Sequence, residues 1–137
     1  MSFLLDTNVF SEIRKGLRCN AGVRTWFAET DSGDLWMSVL VVGEIRRGIE
    51  LIRRRDRRQA TALDRWLGSL MREQAERILP VSQLVAETWG EMTATRPLSP
   101  IDGLLAATAV VHDLTLVTRN RKHVLQTGAR CLDPFSA

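Results

Sequence analysis

Three acidic residues stand where a carboxylate is unusual. Asp6 follows the short apolar run Phe3–Leu5, Glu44 has the apolar neighbours Val42 and Ile45, and Asp102 begins a stretch almost free of charge. A carboxylate beside a core needs a partner, because its removal from water is costly. If the three converge they repel one another, and a hard cation with oxygen ligands, Mg²⁺ or Mn²⁺, removes that cost. Such clusters cut phosphodiesters.

Two of these acids also have a structural explanation. Asp6 is placed to cap a first helix, and Asp102 falls at a third helical position, where an acid stabilises the helix by about 0.3–1 kcal/mol. Glu44 has no comparable explanation, so we expect it to meet an arginine or a cation. Taken singly, each acid leaves both the structural and the functional interpretation open. The hypothesis is that the three acids act together at one site.

The order of the elements predicts where these acids lie. Apolar runs typical of strands alternate with helical patterns along the whole chain. This alternation favours an α/β fold with a central, mostly parallel sheet flanked by helices. Ligands bind at the carboxyl ends of the strands in such sheets. The strand candidates are Phe3–Leu5, Leu35–Val39, "RILPV" as an edge, "LTLVT" and a weak closing "ARCL".

Apolar spacing and capping residues predict the helices between these strands. Two amphipathic stretches separated by a polar break form a helical hairpin, and the helix after Ser99 is apolar almost all round, hence buried. The expected boundaries are Val9–Lys15 with Gly16 as its cap, Asn20 as the cap of the second helix, a hairpin carrying Val42–Ile52 and Leu63–Met71, Ser82–Arg96, and a helix begun by Ser99 and Pro100.

Composition narrows the class of protein. A length of 137 residues, 45% hydrophobic and 26% charged, fits one globular domain over residues 1–137. No apolar run approaches the roughly 18 residues of a membrane span and no signal-type segment opens the chain, so we expect a cytoplasmic protein without membrane contact. Cys19 and Cys131 are isolated and support neither a zinc site nor a disulfide framework. A net charge of +3 permits a polyanionic partner.

Three motifs together carry a family resemblance. The motifs are "LLDTNVFSE", "SVLVVGEIRRGIE" and "SPIDGLLAATAVVHDLTLVTRNRKH". Their order and spacing resemble the PIN-domain ribonucleases, and within that family the VapC-type toxins of type II toxin–antitoxin pairs, of the FitB-like kind. The resemblance covers nearly the whole chain. It implies a Mg²⁺- or Mn²⁺-dependent endoribonuclease whose catalytic, metal-binding acids correspond to Asp6, Glu44 and Asp102.

The resemblance also assigns the neighbours of these acids. Many members carry a fourth acid where this chain has Asn120, which offers an oxygen without a charge, so a second ion is expected to be held more weakly. Thr7, Asn8 and Thr118 are expected to hold the carboxylates or a water on the ion. Capping and turn formation is the alternative role of these three residues.

Basic residues predict how RNA is bound. Arg46 and Arg47 open a basic cluster that reaches Arg58, suited to phosphate contacts, and Arg119 is placed for the scissile phosphate. A solvated face, or for Arg119 an ion pair, is the alternative. With no Tyr, and with Phe and Trp mostly on apolar stripes, recognition of a structured tRNA or rRNA by shape and backbone is expected. The resemblance further implies a homodimer and a cognate antitoxin whose arginine enters the acidic pocket.

Two other functions compete with the ribonuclease. A phosphatase of the haloacid-dehalogenase type needs a second acid two residues after the first, where this chain has Asn8. The more serious rival is a non-catalytic PIN-like module that binds RNA or a protein partner, and Asn120 is its support.

Overall fold

Five strands form one sheet in the computed structural model, which describes residues 1–136. Their order is β3-β2-β1-β4-β5, and every pair of neighbours is parallel. The predicted α/β sheet is thereby confirmed, with "RILPV" on an edge and "ARCL" as the closing strand. The strands are β1 (Phe3–Leu5), β2 (Leu35–Ser38), β3 (Ile78–Leu79), β4 (Thr115–Val117) and β5 (Cys131–Leu132).

Seven α-helices flank the sheet within residues 1–136. They are α1 (Thr7–Ile13), α2 (Ala21–Ala28), α3 (Val39–Arg53), α4 (Arg57–Glu73), α5 (Gln83–Thr93), α6 (Pro100–Val111) and α7 (Arg121–Val124). Helices α3 and α4 pack side by side as the predicted hairpin. None of the helices in the described part of the chain combines the length and apolar character needed to cross a membrane.

Side-chain caps set the beginnings of most helices. A carboxylate, amide or hydroxyl oxygen in each case accepts a backbone N–H of the first turn. The caps are Asp6, Asn20, Ser38, Asp56, Ser82 and Ser99. Helix α1 begins at Thr7, two residues before the predicted start, because the Asp6 carboxylate accepts the Thr7 N–H at 2.7 Å. Gly16, after the helix, has the positive φ of 61° expected of it.

The direction in which the chain adds strands reverses at β1. The chain passes from β1 to β2 and β3 on one side, then returns to β4 and β5 on the other. Right-handed crossovers place α1–α4 on one face of the sheet and α5–α7 on the other. The observed packing of α1 with α3, α3 with α4, α5 with α6 and α6 with α7 agrees with this division. The reversal opens a crevice at the carboxyl ends of β1 and β4.

Helix α6 is buried, as its sequence predicts. Leu105, Ala106 and Ala107 have no exposed surface, and the helix contacts both β1 and β4. Its start is fixed by a close approach to α5: a Cβ added to Gly103 would lie 2.9 Å from Cδ1 and Nε1 of Trp89. Gly103 therefore allows α6 to begin next to α5, which sets the position of the adjacent Asp102.

We predict that Gly103→Ala destabilises the fold by about 1–3 kcal/mol, because the added methyl group overpacks the indole. Urea unfolding followed by circular dichroism measures this cost. Gly90→Ala is the matched control on α5, because a Cβ at Gly90 meets nothing within 4 Å. That control is expected to be neutral or stabilising, since alanine is the better helix former. In a Trp89→Leu background the Gly103→Ala cost should shrink, and an equal cost in both backgrounds would contradict the proposed clash.

Candidate active site

Asp6 lies at the end of the central strand, where the direction of strand addition reverses. The residue is only 6% exposed, and its backbone N–H donates to the Val117 carbonyl of β4 at 2.9 Å. Its carboxylate accepts the Thr7 N–H and the Thr118 hydroxyl, each at 2.7 Å, and the Asn8 amide at 3.4 Å. These donors come from the ends of two neighbouring strands, so the carboxylate is held in one orientation.

Further hydrogen bonds join the loop after β1 to the loop after β4. The Thr118 hydroxyl accepts the Asn120 N–H at 3.1 Å, and the Asn8 side-chain oxygen accepts the Arg119 N–H at 3.3 Å. Thr118 is 1% exposed, so its hydroxyl links Asp6 to the Asn120 N–H without contact with solvent. The structure thus brings Asn8 and Thr118 into the contacts expected of residues that hold the acids, and their catalytic role stays a prediction.

Glu44 meets a hydroxyl. It is half-buried near the start of α3, and its Oε1 accepts the Thr7 hydroxyl at 2.6 Å. No arginine among the described residues pairs with Glu44, and the expectation of a cation stays a prediction. Thr7 contacts two acids at once, Asp6 through its backbone N–H and Glu44 through its side chain. It lies between them because α1 begins immediately after β1 and packs on α3.

Asp102 approaches from the opposite face of the sheet. It is half-buried in the first turn of α6, where its N–H donates to the Ser99 hydroxyl at 3.4 Å. Helix α6 packs on β1 and β4, which brings this turn to the same end of the sheet as Asp6. Asp102 and Glu44 lie 58 residues apart in the sequence. Because of this packing they approach Asp6 from different layers of the fold.

The pKa of Asp6 reflects its burial and the proximity of the other two acids. Burial raises the pKa of the Asp6 carboxyl above its ordinary 3.8, and the negative charges of Glu44 and Asp102 raise it further. The hydrogen bonds from Thr118 and from the Thr7 N–H oppose this rise without cancelling it. An ionised Asp6 is consequently unfavourable in the folded protein, and a cation or a guanidinium close to the three acids would relieve the repulsion.

The donor set fits a hard divalent cation. Asp6 supplies two carboxylate oxygens, and the carboxylates of Glu44 and Asp102 are near enough for their charges to act on it. Together with the Thr7 and Thr118 hydroxyls these are oxygen ligands, which such a cation prefers. The three acids do not surround one point in this structure, since no group of three His, Cys, Asp or Glu side chains in residues 1–136 is placed to hold an ion. Neither Glu44 nor Asp102 forms an ion pair with another described residue.

The predicted RNA-contacting residues lie in three different settings. Arg46 is paired with Glu50 at 3.1 Å and Asp64 at 2.7 Å, within the hairpin. Arg47 is exposed on α3. Arg119 is exposed on the loop after β4, with its guanidinium 4.6 Å from the centre of the Phe135 ring and its charge acting on Glu12. Asn120, predicted as a catalytic residue, is exposed, and it touches the site through its backbone N–H.

Sequence reasoning missed a small cavity next to Glu44. The cavity has a volume of about 180 Å³, and Ser11, Arg14 and Trp66 line it together with Thr7 and Glu44. The Arg14 guanidinium lies 5.8 Å from the centre of the Trp66 ring. The spacing of Thr7, Ser11 and Arg14 on one face of a helix is the signal that was available in the sequence. Only the packing of the hairpin brings Trp66 to that face.

Comparison with known proteins agrees with the motifs. The model of the PIN domain matches residues 3–126. The chain belongs to the PIN-domain family. This PIN domain is 32% identical over 137 residues to Toxin FitB of Neisseria gonorrhoeae, covering 96% of the chain and 97% of that protein. It is 27% identical over 137 residues to VapC ribonuclease Y4jK of Sinorhizobium fredii, with 96% of each covered.

Solved structures of relatives share the same fold. The crystal structure of FitAcB from Neisseria gonorrhoeae superposes with a TM-score of 0.89 at 29% identity, covering 98% of this chain and 99% of that one. The structure of FitAB bound to an IR36 DNA fragment gives a TM-score of 0.87 at 28% identity, covering 97% and 95%. The resemblance to FitB-like members of the family is thereby confirmed.

The raised pKa of Asp6 predicts a pH-dependent effect of Asp6→Asn on this PIN domain. The native carboxyl retains its proton to a higher pH than the unfolded one, so wild-type stability falls as the pH rises from the unfolded value, near 3.8, through the raised native value. Asparagine carries no charge and removes that loss. In EDTA, we expect Tm of the variant minus Tm of the wild type to increase between about pH 3 and pH 7.

Differential scanning calorimetry across the pH series measures this difference. Asp31→Asn, a change of the same kind at an exposed position, supplies the baseline. A difference for Asp6→Asn that is flat or declines as the pH rises would show that Asp6 is not destabilised by its charge.

Proposed function

We propose that this PIN domain is an endoribonuclease dependent on Mg²⁺ or Mn²⁺ and acts as the toxin of a type II toxin–antitoxin module. The observation that carries the proposal is the buried Asp6 carboxylate at the end of β1, which Thr7 joins to Glu44 and on which the charges of Glu44 and Asp102 act. Burial of converging like charges is costly to stability, and functional sites are where such a cost is retained. Its similarity to Toxin FitB and to VapC ribonuclease Y4jK supports the same proposal.

Asp6, Glu44 and Asp102 would hold the ion. Such an ion, when bound, activates water and stabilises charge on a phosphodiester. Thr118 and the Thr7 N–H keep the Asp6 oxygens oriented, and the Thr7 hydroxyl orients Glu44. Arg119, adjacent to this network, is placed to contact the scissile phosphate.

The substrate and partners follow from charge and from the relatives. A structured RNA, such as a tRNA or rRNA segment, matches a basic surface that recognises shape and backbone. A cognate antitoxin would silence the site by placing an arginine among the acids, where a guanidinium fork replaces the cation. We infer a homodimer in the cytoplasm, with residues 1–137 acting as one domain. FitAcB and FitAB, the solved relatives, support assembly with a partner protein.

A non-catalytic PIN-like module that binds RNA or a protein is the second candidate. Two observations favour it: no set of three ligating side chains in residues 1–136 is already arranged around one point, and Asn120 is neutral and exposed. The candidates differ in one measurable respect, because the module binds RNA without cutting it.

Asp6→Asn, Glu44→Gln and Asp102→Asn are each expected to abolish cleavage, with a loss of at least about a hundredfold in rate, because each removes a charge that holds the ion. The measurement is cleavage of total cellular RNA by purified, antitoxin-free protein with Mg²⁺, Mn²⁺ or EDTA, with the products mapped by sequencing. Circular dichroism establishes that each variant is folded.

Glu87→Gln, at an exposed position on α5, is the matched control and should cut as the wild type does. A folded variant of any of the three acids that cuts at the wild-type rate would remove that acid from the site. Folded wild-type protein that binds RNA and cuts none of it with either ion would establish the binding module instead.

Asn120→Asp is expected to strengthen metal binding severalfold, because it adds a negative charge at the position where many relatives carry a fourth acid. Isothermal titration calorimetry with Mn²⁺ measures the affinity in the absence of RNA. Asn20→Asp is the matched control, since it adds the same charge at a helix cap away from Asp6. Equal affinity of Asn120→Asp and wild type would show that Asn120 lies outside the coordination sphere.

A further inference from the structure

A second cavity is lined by the loop that follows Thr118, the residue hydrogen-bonded to Asp6. It has a volume of about 470 Å³ and lies between that loop and the segment after β5. The cavity is within the size range of ligand sites in proteins. Its polar lining includes Arg119, Asn120, Arg121, Lys122, His123 and Asp133. We call this cavity the basic cleft.

Two cations of the basic cleft are not compensated by an ion pair within the described residues. Arg121 and Lys122 are exposed, and neither forms an ion pair with another residue of the described chain. Asp133 is the acid in the lining, and its oxygens accept the Phe135 N–H at 2.9 Å and the Ser136 hydroxyl at 2.8 Å. These neutral donors hold the carboxylate in the C-terminal turn without cancelling its charge. The cleft is nevertheless positive, because Arg119, Arg121 and Lys122 outnumber the one acid in the lining.

Two arginines of the hairpin, Arg46 and Arg53, are by contrast held in ion pairs. Arg46 and Arg53 share the carboxylates of Glu50 and Asp64 at 2.7–3.1 Å. These bonds hold the two arginines against neighbouring acids, so a phosphate would have to compete for them. The predicted phosphate-binding role therefore fits the basic cleft better than it fits Arg46.

The basic cleft is connected to Asp6 by two consecutive hydrogen bonds. Thr118 donates to Asp6 and accepts from the Asn120 N–H, so the loop that carries the cleft cations is held to the acid. The Phe135 ring packs against Arg119, with the guanidinium 4.6 Å from the ring centre. Such stacking leaves the guanidinium N–H groups available for a phosphate while limiting side-chain motion.

We propose that the basic cleft binds the phosphodiester group of the RNA nucleotide next to the scissile bond. Arg121 and Lys122 contact this phosphate, and Phe135 is a positioning residue for Arg119. The inference rests on the proposed function for the identity of the polymer. The positive charge and the hydrogen-bonded continuity with Asp6 specify a phosphodiester backbone, and the absence of Tyr from the sequence fits recognition without base stacking.

The test measures RNA binding separately from cleavage. Fluorescence anisotropy with a labelled RNA hairpin in EDTA, between about 50 and 200 mM NaCl, gives Kd and its salt dependence. For Arg121→Gln/Lys122→Gln we expect Kd to rise on the order of tenfold at the lowest salt, and the slope of log Kd against log salt to fall by about 1 to 2.

Arg65→Gln/Arg72→Gln is the matched control. It removes the same charge from two exposed arginines of α4 outside the cleft and should change Kd much less. Phe135→Leu provides a second, independent variant. It should lower kcat/KM for RNA cleavage, and it should have little further effect when Arg119 is already replaced by Gln. An additive effect of Phe135→Leu and Arg119→Gln would show that Phe135 does not act through Arg119.

The outcomes separate the cleft from the nuclease. Wild-type protein that cuts RNA while Arg121→Gln/Lys122→Gln retains wild-type Kd and salt slope would overturn the basic cleft and leave the proposed function standing. Binding that is weakened selectively by that variant, in a protein that never cuts, would support the cleft and overturn the nuclease. Equal losses in both double variants would show that only net charge matters, and would overturn the proposed role of the basic cleft. Stronger binding of DNA of the same sequence would also overturn it, because the occupant would then not be RNA.

Discussion

The hydrogen bond between the Thr118 hydroxyl and the Asp6 carboxylate, 2.7 Å long and buried, is the contact on which the rest of the site depends. It joins two residues that are 112 positions apart and that end adjacent parallel strands. Because β1 and β4 are neighbours across the reversal in strand order, their following loops diverge to opposite faces of the sheet and leave a crevice. The same hydroxyl accepts the Asn120 N–H, so the position of the basic loop and the orientation of the acid are set together.

The burial and proximity of the acids lower the stability of the fold. Asp6 is buried, and the negative charges of Glu44 and Asp102 raise its pKa further, which makes its ionised form unfavourable. Neutral donors hold the Asp6 and Glu44 carboxylates through Thr7, Asn8 and Thr118. Neutral donors orient oxygens and leave the negative charge uncompensated, so affinity for a cation or a guanidinium is retained. A site neutralised by its own arginines would have lost that affinity.

Arginine therefore has two distinct roles in this protein. In the hairpin, Arg46 and Arg53 are matched with Glu50 and Asp64, and the bonds join α3 to α4. These pairs are partly exposed, so their contribution is to the geometry of the hairpin more than to the free energy of unfolding. Around the β4–α7 loop Arg119, Arg121 and Lys122 line a cavity whose lining contains one acid, Asp133. Local composition is basic in both places, and the ion pairs of the hairpin are confined to Arg46 and Arg53 among the described residues.

The sequence by itself determined the local features and the family. Apolar periodicity and capping residues predict the alternation of strands and helices, and the unusual settings of Asp6, Glu44 and Asp102 identify the acids, because these signals depend on residues close in the chain. Even there, α1 begins two residues early because Asp6 is both acid and cap. Only the tertiary structure decided that Glu44 pairs with Thr7, that Arg46 is drawn into the hairpin, and that Trp66 and Phe135 stand beside Arg14 and Arg119. Each of these contacts joins different elements, and its partner is set by strand order and helix packing, which no local pattern of residues specifies.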